Sequence, residues 1–241
     1  MGGLLCIRHD HRCNCLGVDF EITGDAALKQ RDDAEEFVKN AYKLLQKKFG
    51  DVKCPLTYGK PHELCIAVIL SAQCTDAQVN KTTPALFARF PNPGDYISAP
   101  LSEVENLVHS TGFYRNKAKN IQGFCHSLVH VHGGVVPRTL AELTAMPGVG
   151  RKTANVVLQE LYGIPSGIVV DTHVARLSRI FGLTKSKNAL QIERDLMQIV
   201  PERMWMNWSL YMIFLGRSNC TARTRDCATC ILKKICPAAN Y

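Results

Sequence analysis

The sequence has no apolar run long enough to cross a membrane, although 46% of its 241 residues are hydrophobic. A transmembrane helix needs about 20 consecutive apolar residues. The first residues, MGGLLCIRHDHRCNC, also lack the apolar core of a secretory signal. We therefore expect a soluble, intracellular protein with no membrane partner and with enough apolar residues for one large or two modest cores.

Acidic residues are the minority among the charged ones. The chain has 21 Asp and Glu against 29 Lys and Arg, which gives a formal net charge of +8. This excess suits a polyanionic partner, although ribosome-associated and secreted basic proteins share it.

The 11 cysteines cannot all pair with one another, because their number is odd. A chain of this length with such a count fits reducing conditions better than a disulfide scaffold. Five His and Cys residues near the start could bind a metal, but their spacing matches no standard ligand pattern, so an extension without fixed structure is the preferred interpretation. They are Cys6, His9, His11, Cys13 and Cys15.

The strongest local signals lie in residues 138–176. A helix is predicted from Thr139 to Met146, and a second one follows because its apolar residues recur on one face. Between them, Pro147-Gly148-Val149-Gly150 forms a tight hairpin. Its two glycines allow backbone conformations closed to other residues, so amide groups can point outward where the second helix begins. Such an arrangement is a ready anion site.

The second helix opens with two cations, Arg151 and Lys152, at the end where the helix dipole is already positive. This conflict should cost a few tenths to about 1 kcal/mol, and a nearby phosphate would remove it. The same field favours the neutral amine of Lys152, and a neutral lysine is a nucleophile toward carbonyl-like carbon. The alternative is an ordinary surface lysine in a first helical turn.

Asp171 ends the apolar run Ile168-Val169-Val170, just before a helix predicted to begin near residue 172 or 173. Its carboxylate can cap that helix. A carboxylate at a helix N-terminus is also held ionised, which suits it to stabilise a developing cation. Both roles can coexist.

A central buried helix is predicted over HELCIAVILSAQ, which is apolar nearly all round. Polar residues then cluster from Ser71 to Asp76. From the residues alone, this cluster is a helix end followed by the cap of the next helix.

A second loop of interest runs from Thr111 to Tyr114, after a helix that a capping box at Ser102 and Glu105 is expected to open. It places Phe113 between two helices, beside the cations Arg115, Lys117 and Lys119. A large apolar side chain there can enter stacked bases while the cations hold phosphate. Alternatively, Phe113 folds back as a lid on the core.

Four cysteines near the end form a compact motif, with six, two and five residues between successive members. They are Cys220, Cys227, Cys230 and Cys236. A set this dense is a metal site or a disulfide knot. Structural zinc more commonly uses two close cysteine pairs, so an iron-sulfur cluster is preferred. Arg223 and Arg225 lie inside the loop, where a cluster would shape a phosphate-binding surface.

The segments MPGVGRKTANVV and VVDTHVAR resemble the helix-hairpin-helix DNA glycosylases and, within them, the endonuclease III family. The cysteine spacing is also similar to the [4Fe-4S] loop of that family and of the mismatch adenine glycosylases. The resemblance covers roughly Asp33 to Pro237. It implies an all-α fold with two helical domains: a continuous one, residues 54–164, and a discontinuous one, residues 32–53 plus 165–241, after an N-terminal extension, residues 1–31.

The resemblance implies a bifunctional DNA glycosylase and abasic-site lyase that acts as a monomer on damaged double-stranded DNA. Oxidised pyrimidines are the implied substrates, with Lys152 as nucleophile, Asp171 as its electrostatic or proton-transfer partner, and a [4Fe-4S] cluster on the four cysteines. SAQCTD is similar to the segment whose glutamine enters the gap left by an extruded base. The implied DNA contacts are Gln73, Asp76, Phe113, Tyr114, Gly148, Gly150, Arg151, Arg223 and Arg225.

Some features differ from the family or admit other readings. Phe113 stands where the family usually has leucine, which leaves the lesion preference open. The mismatch adenine glycosylases typically have serine at the position of Lys152. A non-catalytic damage-binding protein would need only the hairpin and the basic loop, and an iron-sulfur electron carrier would leave the hairpin unexplained.

Overall fold

A computed structural model describes residues 24–239 of the chain, with side chains from residue 31 onward. Within this part the fold is all-α, as predicted, and the only β pairing is an isolated bridge between Cys220 and Arg225. No helix among these residues is both long and apolar enough to span a bilayer. The His and Cys residues at positions 6–15 lie outside the described residues.

The described residues form eleven α-helices and two short 3-10 turns, the latter at His109–Thr111 and Glu202–Met204. The helices are α1 (Gly24–Phe49), α2 (Pro61–Leu70), α3 (Asp76–Arg89), α4 (Pro93–Ser98), α5 (Leu101–Val108), α6 (Tyr114–His130), α7 (Leu140–Thr144), α8 (Arg151–Tyr162), α9 (Thr172–Ile180), α10 (Ala189–Ile199) and α11 (Trp205–Arg217).

Helix α1 begins at Gly24, inside the stretch predicted to be an N-terminal extension without fixed structure. Residue 31 is therefore not a structural boundary, because good helix formers precede it and no stop signal intervenes. The acidic residues after position 31 consequently lie in the interior of α1. Glu35 there pairs with Arg31 at 3.2 Å and with Lys39 at 3.6 Å, one turn away on either side.

The capping box predicted at Ser102 and Glu105 is wrong. Helix α5 begins one residue before Ser102, with Pro100 as its N-cap residue and no side-chain cap. The Pro100 carbonyl accepts from the N–H of Glu103 at 3.0 Å and so closes the first turn without a serine hydroxyl.

The first hydrophobic core is built around α2, which is buried from His62 to Leu70, as predicted for a central helix. Helices α3 to α8 surround it and supply most of the remaining core residues. Because α2 has no polar face, it needs neighbours on every side, and α3, α6 and α8 pack directly against it.

A second, separate core is formed by α1 with α9, α10 and α11. Trp208 and Tyr211 of α11 are fully buried in it, and the ring of Tyr211 lies 5.3 Å from that of Tyr42 on α1. The chain thus enters this core, leaves it for the first core and then returns. Two cores with this chain order support a division into residues 54–164 and residues 32–53 plus 165–241, which stays a proposal.

The two cores are joined by a buried ionic contact between α8 and α10. The carboxylate of Glu193 accepts two hydrogen bonds from Arg151, at 2.7 and 3.1 Å, and one from Asn155 at 2.9 Å. Its side chain is 6% exposed, whereas that of Arg151 is 42% exposed. Gly167 lies so close that a Cβ there would be 2.0 Å from Glu193 Oε1. This contact fixes the start of α8 relative to the second core.

The unequal burial of this ion pair predicts unequal costs of breaking it. Arg151→Met leaves the buried Glu193 carboxylate with Asn155 as its remaining partner, so we expect the free energy of unfolding to fall by about 2–3 kcal/mol. Glu193→Gln leaves an arginine that water can reach, and should cost about 1 kcal/mol. Urea denaturation of both variants measures the difference, and equal losses would contradict the buried carboxylate as the costly partner.

Candidate nucleic-acid interface and active site

The hairpin between α7 and α8 is held by short-range hydrogen bonds. The Thr139 hydroxyl caps α7 by accepting from the N–H of Glu142 at 3.3 Å. The N–H of Val149 donates to the carbonyl of Met146 at 3.1 Å, and the side chain of Val149 is buried. The turn therefore places its glycines at the surface where α8 begins, as predicted.

The two hairpin glycines have different structural requirements. Gly148 has a φ of 76°, and a Cβ on it would lie 2.8 Å from the Cβ of Asn120 on α6. Gly150 has a φ of −85° and open space around it, so the expectation that it needs a glycine-only conformation is wrong. It serves instead as the N-cap of α8, where its carbonyl accepts from the N–H of Ala154 at 2.9 Å.

Lys152 and Asp171 line the same cavity, which has a volume of about 130 Å³. We call it the lysine cavity. Its walls come from both cores: α2 and α8 on one side, α11 and the segment before α9 on the other. Most of the wall is apolar, including Val68, Val156 and Ile213. A polar group in such a wall acts with little competition from water.

Asp171 has extended backbone geometry at the N-cap of α9, and its Oδ1 accepts from the N–H of Val174 at 2.8 Å. The predicted capping role is therefore confirmed. The helix dipole favours a negative charge at this position. The carboxylate is thus oriented by α9 while it faces the lysine cavity.

Asp76 also lines the lysine cavity, but its carboxylate is paired with Arg217 at 2.9 Å. Asp76 is the first residue of α3 and Arg217 the last residue of α11, so this ion pair is a second link between the two cores. Nothing in the sequence pattern identifies Arg217, because the two residues are far apart in the chain.

A second concave surface, which we call the wedge cavity, includes Gly148 of the hairpin and has a volume of about 230 Å³. Its lining residues are Ile69, Ala72, Gln73, Phe113, Asn116, Lys117, Asn120 and Gly148. The structure thus brings Gln73 and Phe113, two of the predicted DNA contacts, to one cavity that also contacts the hairpin.

Gln73 and Phe113 are the only residues other than glycine with positive φ in the described chain, at 52° and 48°. Such conformations cost on the order of 1–3 kcal/mol each and occur most often at functional sites. Phe113 is 64% exposed, so its predicted alternative as a lid on the core is wrong. Tyr114, by contrast, is partly buried, with its ring 4.4 Å from that of His109.

Lys117 is buried and is not part of the basic surface predicted around residues 111–114, which we call the wedge loop. Its ammonium donates to the carbonyl of Thr111 at 2.7 Å, and desolvation by burial lowers its pKa. The sequence held a signal for this burial, since position 117 lies on the same helical face as Ile121 and Phe124, which are fully buried.

The charge of Arg151 at the start of α8 is paired, because its guanidinium donates to the carboxylate of Glu193. This hydrogen bond raises the pKa of Arg151. Glu193 thereby offsets the charge of Arg151, one of the two cations whose conflict with the helix dipole a phosphate was expected to remove. The partner lies 42 residues away in sequence and could not be inferred from local patterns. Lys152, the next residue, remains exposed.

The four cysteines Cys220, Cys227, Cys230 and Cys236 line one small cavity of about 20 Å³ and form no disulfide. Burial, with the neighbouring thiols, raises the pKa of two of them, Cys230 and Cys236. Four thiolates are the donor set of a [4Fe-4S] cluster. Within the described chain, no group of three or more His, Cys, Asp or Glu side chains is placed to hold a single metal ion.

The cysteine loop is anchored to the second core by side chains outside it. Arg176 of α9 donates to the carbonyls of Cys220 at 2.7 Å and Thr221 at 3.2 Å. Lys48 of α1 donates to the side chain of Asn219. Arg223 and Arg225 lie on the exposed side of the loop, far along the chain from the hairpin.

Comparison with known proteins places this geometry among DNA repair proteins. The HhH-GPD superfamily base excision DNA repair protein family matches residues 66–202. Endonuclease III of Synechocystis sp. is 50% identical over 197 residues, which are 82% of this chain and 90% of that protein. Endonuclease III of Bacillus subtilis is 46% identical over 189 residues, 78% of this chain and 86% of that protein.

Among solved structures, a trapped endonuclease III–DNA covalent intermediate has a TM-score of 0.80 at 44% identity and covers 85% of this chain and 96% of that one.

The hairpin glycines give a matched pair of variants. Gly148→Ala should lower the free energy of unfolding by about 1–3 kcal/mol, because the new methyl group meets Asn120 and the positive φ disfavours alanine. Gly150→Ala should cost less than about 1 kcal/mol, since only a cap preference is lost. Chemical denaturation compares the two, and similar losses would refute the assignment of the tight contact to Gly148.

Proposed function

The chain belongs to the HhH-GPD superfamily of base excision DNA repair proteins, and we propose that it is a bifunctional DNA glycosylase and abasic-site lyase that excises oxidised pyrimidines from duplex DNA. The observation that carries the proposal is the placement of Lys152 and Asp171 on one cavity beside the hairpin. A damage-binding module would need the hairpin but not this pair.

Access to the sugar requires that the damaged nucleotide leave the duplex, because the base stack covers the reacting carbon. Gln73 and Phe113 are exposed and line the wedge cavity, which is separate from the lysine cavity. Side chains that enter the stack there would hold the space vacated by the nucleotide. The nucleotide itself would enter the cavity that contains Lys152.

Lys152 Nζ then attacks C1′ of the sugar as the bond to the base breaks, and the base leaves with a proton from the lysine nitrogen. The C1′–O4′ bond then breaks, O4′ takes up a proton from water to become a hydroxyl, and C1′ becomes double-bonded to the lysine nitrogen as an iminium. The iminium acidifies the C2′ protons, so loss of one of them expels the 3′ phosphate by β-elimination. Hydrolysis of the remaining imine returns the free lysine.

Asp171 supports this sequence through its charge. Departure of the base builds positive charge on the sugar, and a carboxylate fixed at the N-cap of α9 is already oriented to stabilise it. Because the surrounding wall is apolar, the interaction is less screened than in water.

Binding of the phosphate backbone is proposed for two further groups, the hairpin amides and the arginines of the cysteine loop. The hairpin amides around Gly148 and Gly150 lie at the start of α8, which favours an anion. Arg223 and Arg225 add exposed positive charge on the cysteine loop. The formal net charge of +8 provides long-range attraction to DNA. Asp76, Tyr114 and Arg151 are also proposed as DNA contacts. Each of them already has a partner in the protein, which is Arg217, His109 and Glu193 respectively.

A [4Fe-4S] cluster is proposed as the resident cofactor, held by Cys220, Cys227, Cys230 and Cys236. Their shared cavity and reduced thiols support this assignment. When bound, the cluster would cross-link the loop in place of a hydrophobic core. The loop would then present Arg223 and Arg225 from a fixed backbone.

Borohydride trapping tests the catalytic proposal. On a duplex with one oxidised pyrimidine, the wild-type protein should become covalently attached to DNA, because the reagent reduces the Schiff base to a stable amine. Lys152→Ala should lose the trapped complex and retain duplex binding. Asp171→Asn can still cap α9, so it removes mainly the charge and should slow excision by roughly 10²–10³-fold.

A second substrate, a duplex with a preformed abasic site, separates the two activities in the trapping assay. Trapping on the abasic site but not on the oxidised pyrimidine would retain the lyase and reject the substrate class. Wild-type binding without trapping on either duplex would refute the bifunctional mechanism.

Metal analysis tests the cofactor. The purified protein should be brown and contain about four iron and four sulfide per chain, as the cysteine set predicts. Cys236→Ser should lower the iron content and the visible absorbance, whereas Cys54→Ser, outside the loop, should leave both unchanged. Stoichiometric zinc in a colourless, iron-free protein would overturn the assignment.

A further inference from the structure

Lys117 is attached to the wedge loop by both its backbone and its side chain. Its N–H donates to the carbonyl of Phe113 at 3.1 Å, and its Nζ donates to the carbonyl of Thr111 at 2.7 Å. Between these carbonyls lies Gly112, which has a φ of 70° and open space around it. The two bonds therefore span the most adaptable peptide of the loop and limit the directions that Phe113 can take.

The base of the loop is fixed independently of Lys117. The hydroxyl of Thr111 donates to the carbonyl of Val108 at 2.8 Å. The side chain of Ser110 lies 2.9 Å from both the Gln78 amide nitrogen and the Thr82 hydroxyl on α3. Lys117 thus acts at the tip, residues 112 and 113, where Gly112 has one further bond, from its N–H to the carbonyl of His109 at 3.3 Å.

Packing alone does not account for a lysine at this position. The residue is 4% exposed, and no carboxylate forms an ion pair with it among residues 31–239. A methionine of similar length would fill the space without the cost of desolvating a charge. The charge strengthens the hydrogen bond to the Thr111 carbonyl, because charge-assisted bonds are about twice as strong as neutral ones.

We propose that Lys117 is a positioning residue that holds Phe113 in the exposed, left-handed conformation in which it enters the duplex. The inference rests on the proposed function, since the wedge has a role only if a nucleotide is extruded. Lys117 does not line the lysine cavity, in which the proposed reaction takes place. Its effect passes through the direction of the Phe113 side chain.

A double-mutant cycle tests this inference. Lys117→Met should slow excision of an oxidised pyrimidine from duplex DNA by roughly 10- to 100-fold, the range expected for a misplaced positioning group. In the Phe113→Ala background, the same change should have little further effect, because the group through which it acts is gone. Lys119→Met removes an exposed charge from the same helix, and its effect should be the same in both backgrounds.

Trapping on a single-stranded abasic oligonucleotide distinguishes a positioning role from a general structural one. A variant with a damaged fold would lose this reaction as well, whereas a variant with only a displaced Phe113 would keep it. This reaction needs Lys152 but no opening of a duplex, so Lys117→Met should trap as well as the wild type. Loss of single-strand trapping in Lys117→Met, or an effect that adds fully to that of Phe113→Ala, would overturn the inference. Failure of the wild type itself on both substrates would instead refute the proposed function.

Lys117→Arg covers the case in which Lys117→Met does not fold. Arginine keeps the charge and the donors, but its longer side chain should displace the Thr111 carbonyl. We expect a smaller loss of duplex excision than for Lys117→Met, again absent in the Phe113→Ala background. An additive loss in this series would also contradict the role of Lys117.

Discussion

The buried carboxylate of Glu193 is the constraint on which the site depends. The two cores both line the lysine cavity, and the proposed catalytic pair divided between them can act together only if the relative position of the cores is fixed. Arg151 and Asn155 lie one turn apart on α8 and both donate to Glu193. Because Arg151 directly precedes Lys152, the ion pair fixes the first turn of α8 next to the proposed nucleophile.

Helix α8 consequently makes three different sets of contacts, one on each of three faces. Ala154, Val157 and Leu158 pack in the first core, Arg151 and Asn155 face Glu193, and Lys152 and Val156 line the lysine cavity. A helix divided in this way can rotate little without losing one set of contacts. The apolar face alone would tolerate a small rotation, so the polar contact with Glu193 is the more specific restraint.

The sequence predicted the features that depend on neighbouring residues. The hairpin, the buried helix α2 and the cap at Asp171 are all present, and each of them depends on residues that are near one another in the sequence. The partners of Arg151 and Asp76 were not predictable, because charge complementarity over more than 40 residues leaves no periodic trace. The prediction that Lys117 belongs to an exposed basic surface is wrong, because it rested on the charge of the residue and not on its position on the buried face of α6.

The wedge and the hairpin are coupled through the same face of α6. Asn120, one turn after Lys117, packs so closely on Gly148 that no side chain fits between them. Gly123, another turn on, would place a Cβ 3.0 Å from Pro147, at the start of the hairpin. The distance from Phe113 to the start of α8 is therefore fixed by close packing along α6. A duplex opened at Phe113, as proposed, would thus meet Lys152, the proposed nucleophile, at a set spacing, because close packing along α6 joins the two positions.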